Sequence, residues 1–591
     1  MRYFTIVALM LWMAGLMCAE AKKPTAASAD EALLQCFKTF LDADHELAPS
    51  TASRLGDRRF DDRLENVSPE WQTQVKALYE QTRTQLQKQI AYDQLSRNAQ
   101  IDYEIFKHHL DRSLWLMENT KPYANDPRTY LGYVTEGTYV LLSQSSAPRA
   151  TNVRNCVSRM VYMPRILANG KKALGVCPKI YVETAIRQTQ GAINYYQHDI
   201  YQLAGETPGV SELTSAATPV IAALKDYLDF LKKELLPKAT EEGWRLGKDK
   251  FARKLELELE AGVTAEEVLK DAEAEADRVE HEMYVIARQL WYQIAPGKPL
   301  PPDDQQGRRM TIRTVINHLA QDHGKAENLV NDIKQTVEEI KKFIQEKDIL
   351  RLPEPDQCQI IEMPEFQRGY SVAYLNNAPP LDTKVSSYYA ISPPPQDWDA
   401  QRKKSYLEEY NRSMLKILSI HEGYPGHYVQ LEYSNRCPSL IRRVLFSGVF
   451  AEGWAVYTEQ TMLDQGFGQG DLSLRLHQLK FYLRAVVNAL IDYKMHCENM
   501  TDTQVMDVLV NRAFQSEGEA AGKVIRGKLQ SCQLSTYFVG RMAFYRLRQQ
   551  VEREMGDAFD LGRYHEAVLA HGTLPVKYLP ELVRERLKQP R

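Results

Sequence analysis

From about Asp30 onward the chain is written mostly in one period. Apolar residues return at near-helical intervals, as at Leu78, Leu86, Ile90 and Leu95, and again at Ile105, Leu110 and Leu114 within Ile101 to Met117. Ser68-Pro69-Glu70 is a helix start, with serine as cap and proline in the first turn. Residues 118 to 150, with Pro122, Pro127 and Pro148, predict a looser stretch. Helical patterns resume over Arg154 to Leu174, Tyr181 to Leu203 and Ser211 to Leu236. Thr264-Ala265-Glu266-Glu267 is a capping box opening a helix to about Tyr292, and Thr311 to Gln345 holds a further pair.

The period changes between 350 and 400. Pro353, Pro355, Pro364, Pro379, Pro380 and Pro393 to Pro395 exclude a long helix. Tyr370 to Leu375 and Val385 to Ile391 carry the aromatic and β-branched content of strands. They predict a small β element near 366–391, either an edge strand above a site, where substrate backbone could pair, or a structural hairpin. Helix returns near Asp399 and continues over Glu452 to Leu463 and Leu472 to Cys497. A second capping box, Thr501 to Gln504, precedes helices at 503–514, 519–529, 533–553 and 561–570. The expected fold is mainly α. An N-terminal helical region spans 22–349, and a region at 350–591 carries the candidate chemistry.

That chemistry lies in Ser419-Ile-His-Glu-Gly-Tyr-Pro-Gly-His-Tyr-Val-Gln430 and in Glu452-Gly-Trp-Ala455. Two imidazoles and a carboxylate are the ligand set of an open catalytic zinc site. The glutamate beside the first histidine, Glu422, occupies the place of a general base. His421 and His427 stand six residues apart rather than four. On an unbroken helix they would be turned about 120° from each other and separated by about 9 Å, whereas ligands of one zinc lie roughly 3.3 Å apart. The spacing therefore demands a break at 424–426, where Pro425 removes a backbone donor and Gly426 permits unusual dihedrals. The competing reading is a polar pocket beside a turn, and Glu452 as third ligand tips the balance toward a metal. Glu459 shares a helix face with Glu452 and reads as a surface charge, with orientation of a ligand histidine as the alternative. His281-Glu282 has Val285 where a second histidine would be needed and reads as a solvated face.

Charged residues are 26% and the net charge is −3, so nothing indicates nucleic acid. Residues 1–21 read as a secretory signal peptide: Arg2, the apolar run Tyr3 to Met17, then Ala19-Glu20-Ala21. The run is short for a stable membrane span of about 20 residues. Met17 precedes Cys18 where a lipid-attachment signal wants a small residue, so the expected product is exported, periplasmic or secreted. Seven cysteines remain after Cys18, an odd number without a C-x-x-C, and none is expected to ligate metal or act as nucleophile. There is no G-x-S-x-G elbow and no Walker loop; Gly518 to Lys523 has the flavour of a phosphate loop at the wrong spacing.

The combination His421-Glu422-x-x-Pro425-Gly426-His427-x-x-Gln430, Glu452-Gly453-Trp454-Ala455, Tyr537-x-x-Gly540 and Gly572-x-Leu574-Pro575 resembles the bacterial domain-of-unknown-function family numbered 885. That family is similar to zinc peptidases of the gluzincin type. The resemblance implies a large multi-helix body with a deep cleft, zinc held by His421, His427 and Glu452, Glu422 as base and a peptide substrate. It also suggests Tyr537 as the donor to the oxyanion. Asp492 and His496, four apart, could pair and line the site or bridge helices, and Arg484 could bind a peptide carboxylate. Tyr428 replaces a histidine common in the family and is read as supporting the site. The resulting expectation is a zinc metallopeptidase acting on short peptides. A zinc amidase or esterase and a helical binding protein with a degenerate metal site are the alternatives.

Overall fold

The computed structural model describes residues 26–363 and 373–590. The signal-peptide reading, with Cys18, and the first half of the expected strand at Tyr370 lie outside them. Helices dominate the described residues, and a single three-stranded sheet interrupts them. No described helix is long and apolar enough to cross a membrane. All seven described cysteines are free thiols.

Local signals act where the pattern placed them. Ser68 accepts a hydrogen bond from the Trp71 amide at the head of Pro69–Gln89. Both capping boxes close, Thr264 with Glu267 at the head of Ala265–Ile294 and Thr501 with Gln504 at the head of Asp502–Asp507. The stretch 118–150 departs from expectation. It holds helices Pro122–Asn125 and Arg128–Ser143, because its prolines stand at helix starts, where a missing amide costs little. His281 is exposed, and Glu282 pairs with Arg278 at 2.8 Å, as a solvated face should.

The sheet comprises β1 (Cys358–Glu362), β2 (Ala373–Asn376) and β3 (Ser387–Ile391). β3 is central, parallel to β1 with Cys358 opposite Ser387 and antiparallel to β2 with Ala373 opposite Ile391. β1 was not expected: five residues among prolines carry too little pattern. The β element therefore begins before 366, and β2 is one of its edges.

The apolar core forms two clusters. One runs from Leu64 to Leu235 within the N-terminal helices. The other joins the first helix, the helices of 97–120 and 248–346 and nearly all of the C-terminal half, so that Ile340 and Ile344 share a core with Ile417 and Ile420. Within it, helices Gly448–Asp464 and Thr536–Met555 cross at Gly453 and Gly540. A Cβ on Gly540 would lie 2.1 Å from the Val449 carbonyl oxygen and 2.6 Å from Gly453 Cα, so glycine is what allows this approach.

His565, fully buried in the same core, gives a pH test. Its Nδ1 bonds the Ile349 carbonyl and its Nε2 the Tyr457 hydroxyl, both at 2.8 Å, a neutral tautomer with Nδ1 as donor. Burial pushes its pKa down to about 3. A depressed folded pKa contributes stability that is complete above the unfolded value, about 6.5, and is lost as pH falls toward the folded one. At pH 5 the loss is about 2 kcal/mol. His565→Gln should be less stable than wild type at pH 7, and that gap should narrow by about 2 kcal/mol at pH 5. Urea melts at the two pH values measure it, and a constant gap contradicts the assignment.

Candidate metal centre

Asn411 caps helix Arg412–Glu422 by accepting from the Met414 amide at 3.1 Å. The helix stops at Glu422, and a second helix, His427–Asn435, begins at the second histidine. The break falls where the six-residue spacing required it. The Gly423 and Tyr424 amides both bond the Ser419 carbonyl, the Tyr424–Pro425 peptide is cis, and the Gly426 amide returns to the Ile420 carbonyl at 3.0 Å. A Cβ on Gly426 would stand 1.9 Å from the His421 carbonyl oxygen. Glycine is thus needed for close approach, not for a left-handed backbone. Trp454, on the helix that carries Glu452, donates its indole N–H to the Pro425 carbonyl at 2.8 Å and ties the turn to that helix.

This folding brings His421, His427 and Glu452 together. One potential ligand atom from each lies within 4.8 Å of the others. Glu452 Oε2 is 3.8 Å from His421 Nε2 and 3.5 Å from His427 Nε2. Those separations are close to the roughly 3.3 Å between donors around a tetrahedral zinc. Among the described residues no other three His, Cys, Asp or Glu side chains are so disposed. Burial lowers the His421 pKa to about 3, helped by neighbouring His427. At His427 burial acts the same way, but the Glu452 and Glu422 carboxylates together outweigh it and raise the pKa. Burial works against the charge of Glu452, yet His427, His421 and Arg526 together hold its pKa down.

Glu459 corrects the surface reading. It is fully buried, with its Oε1 2.7 Å from His421 Nδ1. Seven residues after Glu452, it sits two turns further along the same helix face, and that face points inward. With Nδ1 as donor, His421 presents the Nε2 lone pair toward Glu452, the arrangement a metal-binding imidazole needs. This fits the three side chains to a cation better than to a plain polar pocket. Burial, reinforced by the Glu422 and Glu452 carboxylates and opposed by Arg541 and Arg484, drives the Glu459 pKa well up, and a positive ion beside His421 would offset this. Glu459→Gln should weaken zinc binding about 10- to 100-fold, measured by chelator competition at constant pH. An unchanged affinity would remove the orienting role.

Glu422 follows His421 directly. Burial raises its pKa to about 7, with His427 opposing and Glu452 reinforcing the shift, and its carboxylate accepts a backbone hydrogen bond from Leu375 of β2. Glu422, the triad, Tyr537 and Tyr374 and Leu375 of β2 line one cavity of about 1190 Å³, which extends to Trp244 and Arg128 of the N-terminal half. The Tyr537 hydroxyl accepts from Arg526 at 2.9 Å and lies 3.4 Å from Gln533 Nε2.

Four other expected residues stand away from the cavity wall. Asp492 and His496 do not bond each other. Asp492 accepts from the Cys532 and Ser535 amides and the Ser535 hydroxyl, and so anchors the start of helix Thr536–Met555. His496 Nε2 bonds the Gly527 carbonyl at 3.0 Å. Both bridge helices. Arg484 pairs with Glu519 at 3.2 Å, so its charge is already matched. Tyr428 is buried against Tyr424, and its hydroxyl accepts from the Gln357 amide at 2.8 Å. Arg526 was missed. Nothing in its local sequence distinguishes it from the exposed cations of a helix.

Fold and site together define a mainly α-helical protein with a candidate His-His-Glu metal centre. The chain belongs to the family described as bacterial protein of unknown function, DUF885, whose model matches residues 49–583. Its structure is similar to that of a candidate lipoprotein of unknown function from Shewanella oneidensis, with a TM-score of 0.80 and 28% identity over 95% of this chain and 100% of the other. A candidate lipoprotein from Colwellia psychrerythraea superposes with a TM-score of 0.76 at 17% identity, covering 95% and 99% of the two chains. No curated protein matches the chain.

Proposed function

We propose that this protein is a zinc-dependent hydrolase of amide bonds in small substrates, short peptides first among them, and that the cavity is its substrate cleft. One observation carries the reading: a carboxylate that is no member of the ligand set, Glu422, borders a His-His-Glu cluster within the same cavity. A zinc ion held by His421, His427 and Glu452 would supply the Lewis acidity that activates water and polarises a carbonyl. Glu422 takes the proton of the attacking water and delivers it to the leaving nitrogen, a task suited to a pKa near the working pH. Tyr537 donates its hydroxyl hydrogen to the developing oxyanion. Glu459 keeps His421 in one tautomer. The edge of β2 offers backbone to an extended substrate. The kinship with gluzincin peptidases belongs to this proposal, and the motif order supports it.

The chain is further proposed to act outside the cytoplasm, as an exported, periplasmic or secreted protein. The apolar run of residues 3–17 and the naming of both structural relatives as candidate lipoproteins support this.

A second reading has its own observation. Glu452 already contacts both imidazoles, so the cluster can persist as an ion-paired polar core of a helical binding protein with a degenerate metal site. Metal analysis of the purified chain, followed by digestion of a mixed library of peptides, acyl amides and esters, separates the two. The hydrolase reading expects one zinc per chain and cleaved amides. Zinc-free protein that cannot be reloaded, with every library member intact, establishes the binding protein. Cleavage of esters or non-peptide amides alone moves the substrate class away from peptides.

A further inference from the structure

We propose that Arg526 and Gln533, backed by Lys523, form a carboxylate-binding subsite beside the candidate metal centre. The bond broken there would join an acyl group to a unit that carries a free carboxylate, the C-terminal residue of a short peptide or the amino acid of an N-acyl amino acid. This rests on the hydrolase reading above and adds the substrate's charge to it.

Helix Glu517–Leu529 carries Glu519, Lys523 and Arg526 at i, i+4 and i+7, on one face. The acid of this row is taken: Glu519 pairs with Arg484 at 3.2 Å and accepts from Tyr410 at 2.7 Å. The two cations are not. Lys523 is 5% exposed, and no described residue lies within hydrogen-bond or ion-pair distance of its ammonium. Its electrostatic neighbours are Arg484, Arg526, Glu519 and Glu452. Arg526 bonds only neutral groups, Gln533 Oε1 at 2.6 Å, the Tyr537 hydroxyl at 2.9 Å and Gln530 Oε1 at 3.3 Å. Those three partners all line the cavity, and the guanidinium lies directly behind them.

Burial, with Arg484 and Arg526 beside it, pushes the Lys523 pKa well below its ordinary range, and a bound anion would favour its charged form. Arg526 can hold a planar anion with two parallel N–H donors, which a carboxylate matches. Placement selects among anions. Tyr537 contacts Arg526 and shares the cavity with Glu422 and the triad, so a bound carboxylate would lie close to a carbonyl placed at the metal centre, and the subsite is assigned to the leaving-group side. Hydrolysis then breaks the C–N bond, adds the water's hydroxyl to the acyl carbon and its proton to the nitrogen, and releases an amino acid whose own carboxylate never reacts. Arg484, which the sequence suggested for this role, already has its counter-ion.

The test uses the zinc-loaded full chain with hippuryl-phenylalanine and a panel of tripeptides, each as free acid and as carboxamide. Wild type should favour the acid in kcat/KM by about 10- to 100-fold, the range of one charge-assisted hydrogen-bond pair. In Arg526→Gln that ratio should fall toward one, and Lys523→Met should lower it in the same direction. Ratios are compared, so a general loss of activity does not count, and thermal melts with zinc content establish that each variant is folded. An acid-to-amide ratio near one in wild type, or an undiminished ratio in Arg526→Gln, overturns the subsite and leaves the hydrolase reading intact. Calorimetry in the Glu422→Gln background asks the same question without turnover. Preferential binding of the acid form, abolished by Arg526→Gln, supports the subsite even if wild type cleaves nothing, in which case only the hydrolase reading fails. No acid preference in binding, from protein that holds its zinc, overturns the subsite.

Discussion

Glu422→Gln should lower turnover by about 10²- to 10⁴-fold, equivalent to roughly 3–5 kcal/mol of transition-state stabilisation, while zinc content stays at one ion per chain. The amide keeps the shape of the side chain and its bond to the Leu375 backbone region, but it can neither take nor return a proton. Zinc should stay because Glu422 is not among the three clustered donors. Steady-state kinetics on a cleaved library peptide, with metal analysis of the same sample, give both quantities. Unchanged turnover would remove Glu422 from the mechanism. Loss of zinc with loss of turnover would make it a fourth ligand instead.

The second large effect concerns packing. Gly540→Ala should destabilise the fold by about 3 kcal/mol, the upper part of the range for overfilled cores. The added methyl would meet backbone, the Val449 carbonyl and Gly453 Cα, rather than a side chain able to turn aside. The two helices at this crossing carry Glu452 and Tyr537 on their adjoining turns, so their separation should also loosen the centre. Denaturant melts measure the first effect and zinc affinity the second. A stability loss below about 1 kcal/mol would show that the helices can part there without penalty.

How much of this was legible follows from where each signal resides. The helical period, the Ser68 cap, both capping boxes and the break between His421 and His427 are local: each depends on residues within a turn or two of one another. The three prolines of 118–150 misled because a proline's meaning depends on whether a helix starts there, and sequence shows the residue but not the start. Glu459 reads from the chain as one more charge, and only packing shows that its face points inward. Asp492 and His496 share a helix face as expected, but each finds its partners elsewhere, Asp492 at Cys532 and Ser535 just ahead of helix Thr536–Met555 and His496 at Gly527 of helix Glu517–Leu529. The matching of Arg484 with Glu519, and the influence of Arg526 on Glu452, are facts about pairs far apart in sequence. No period reports them.

The tie between Trp454 and the Pro425 carbonyl carries one more consequence. It couples the hinge that sets both imidazoles to the helix that supplies the carboxylate, so the fold itself holds the three candidate donors together. On the proposed reading, zinc would bind there without refolding any segment. Loading should therefore raise the melting temperature with the concentration of free zinc, as a simple mass-action effect, and leave the helical circular dichroism unchanged.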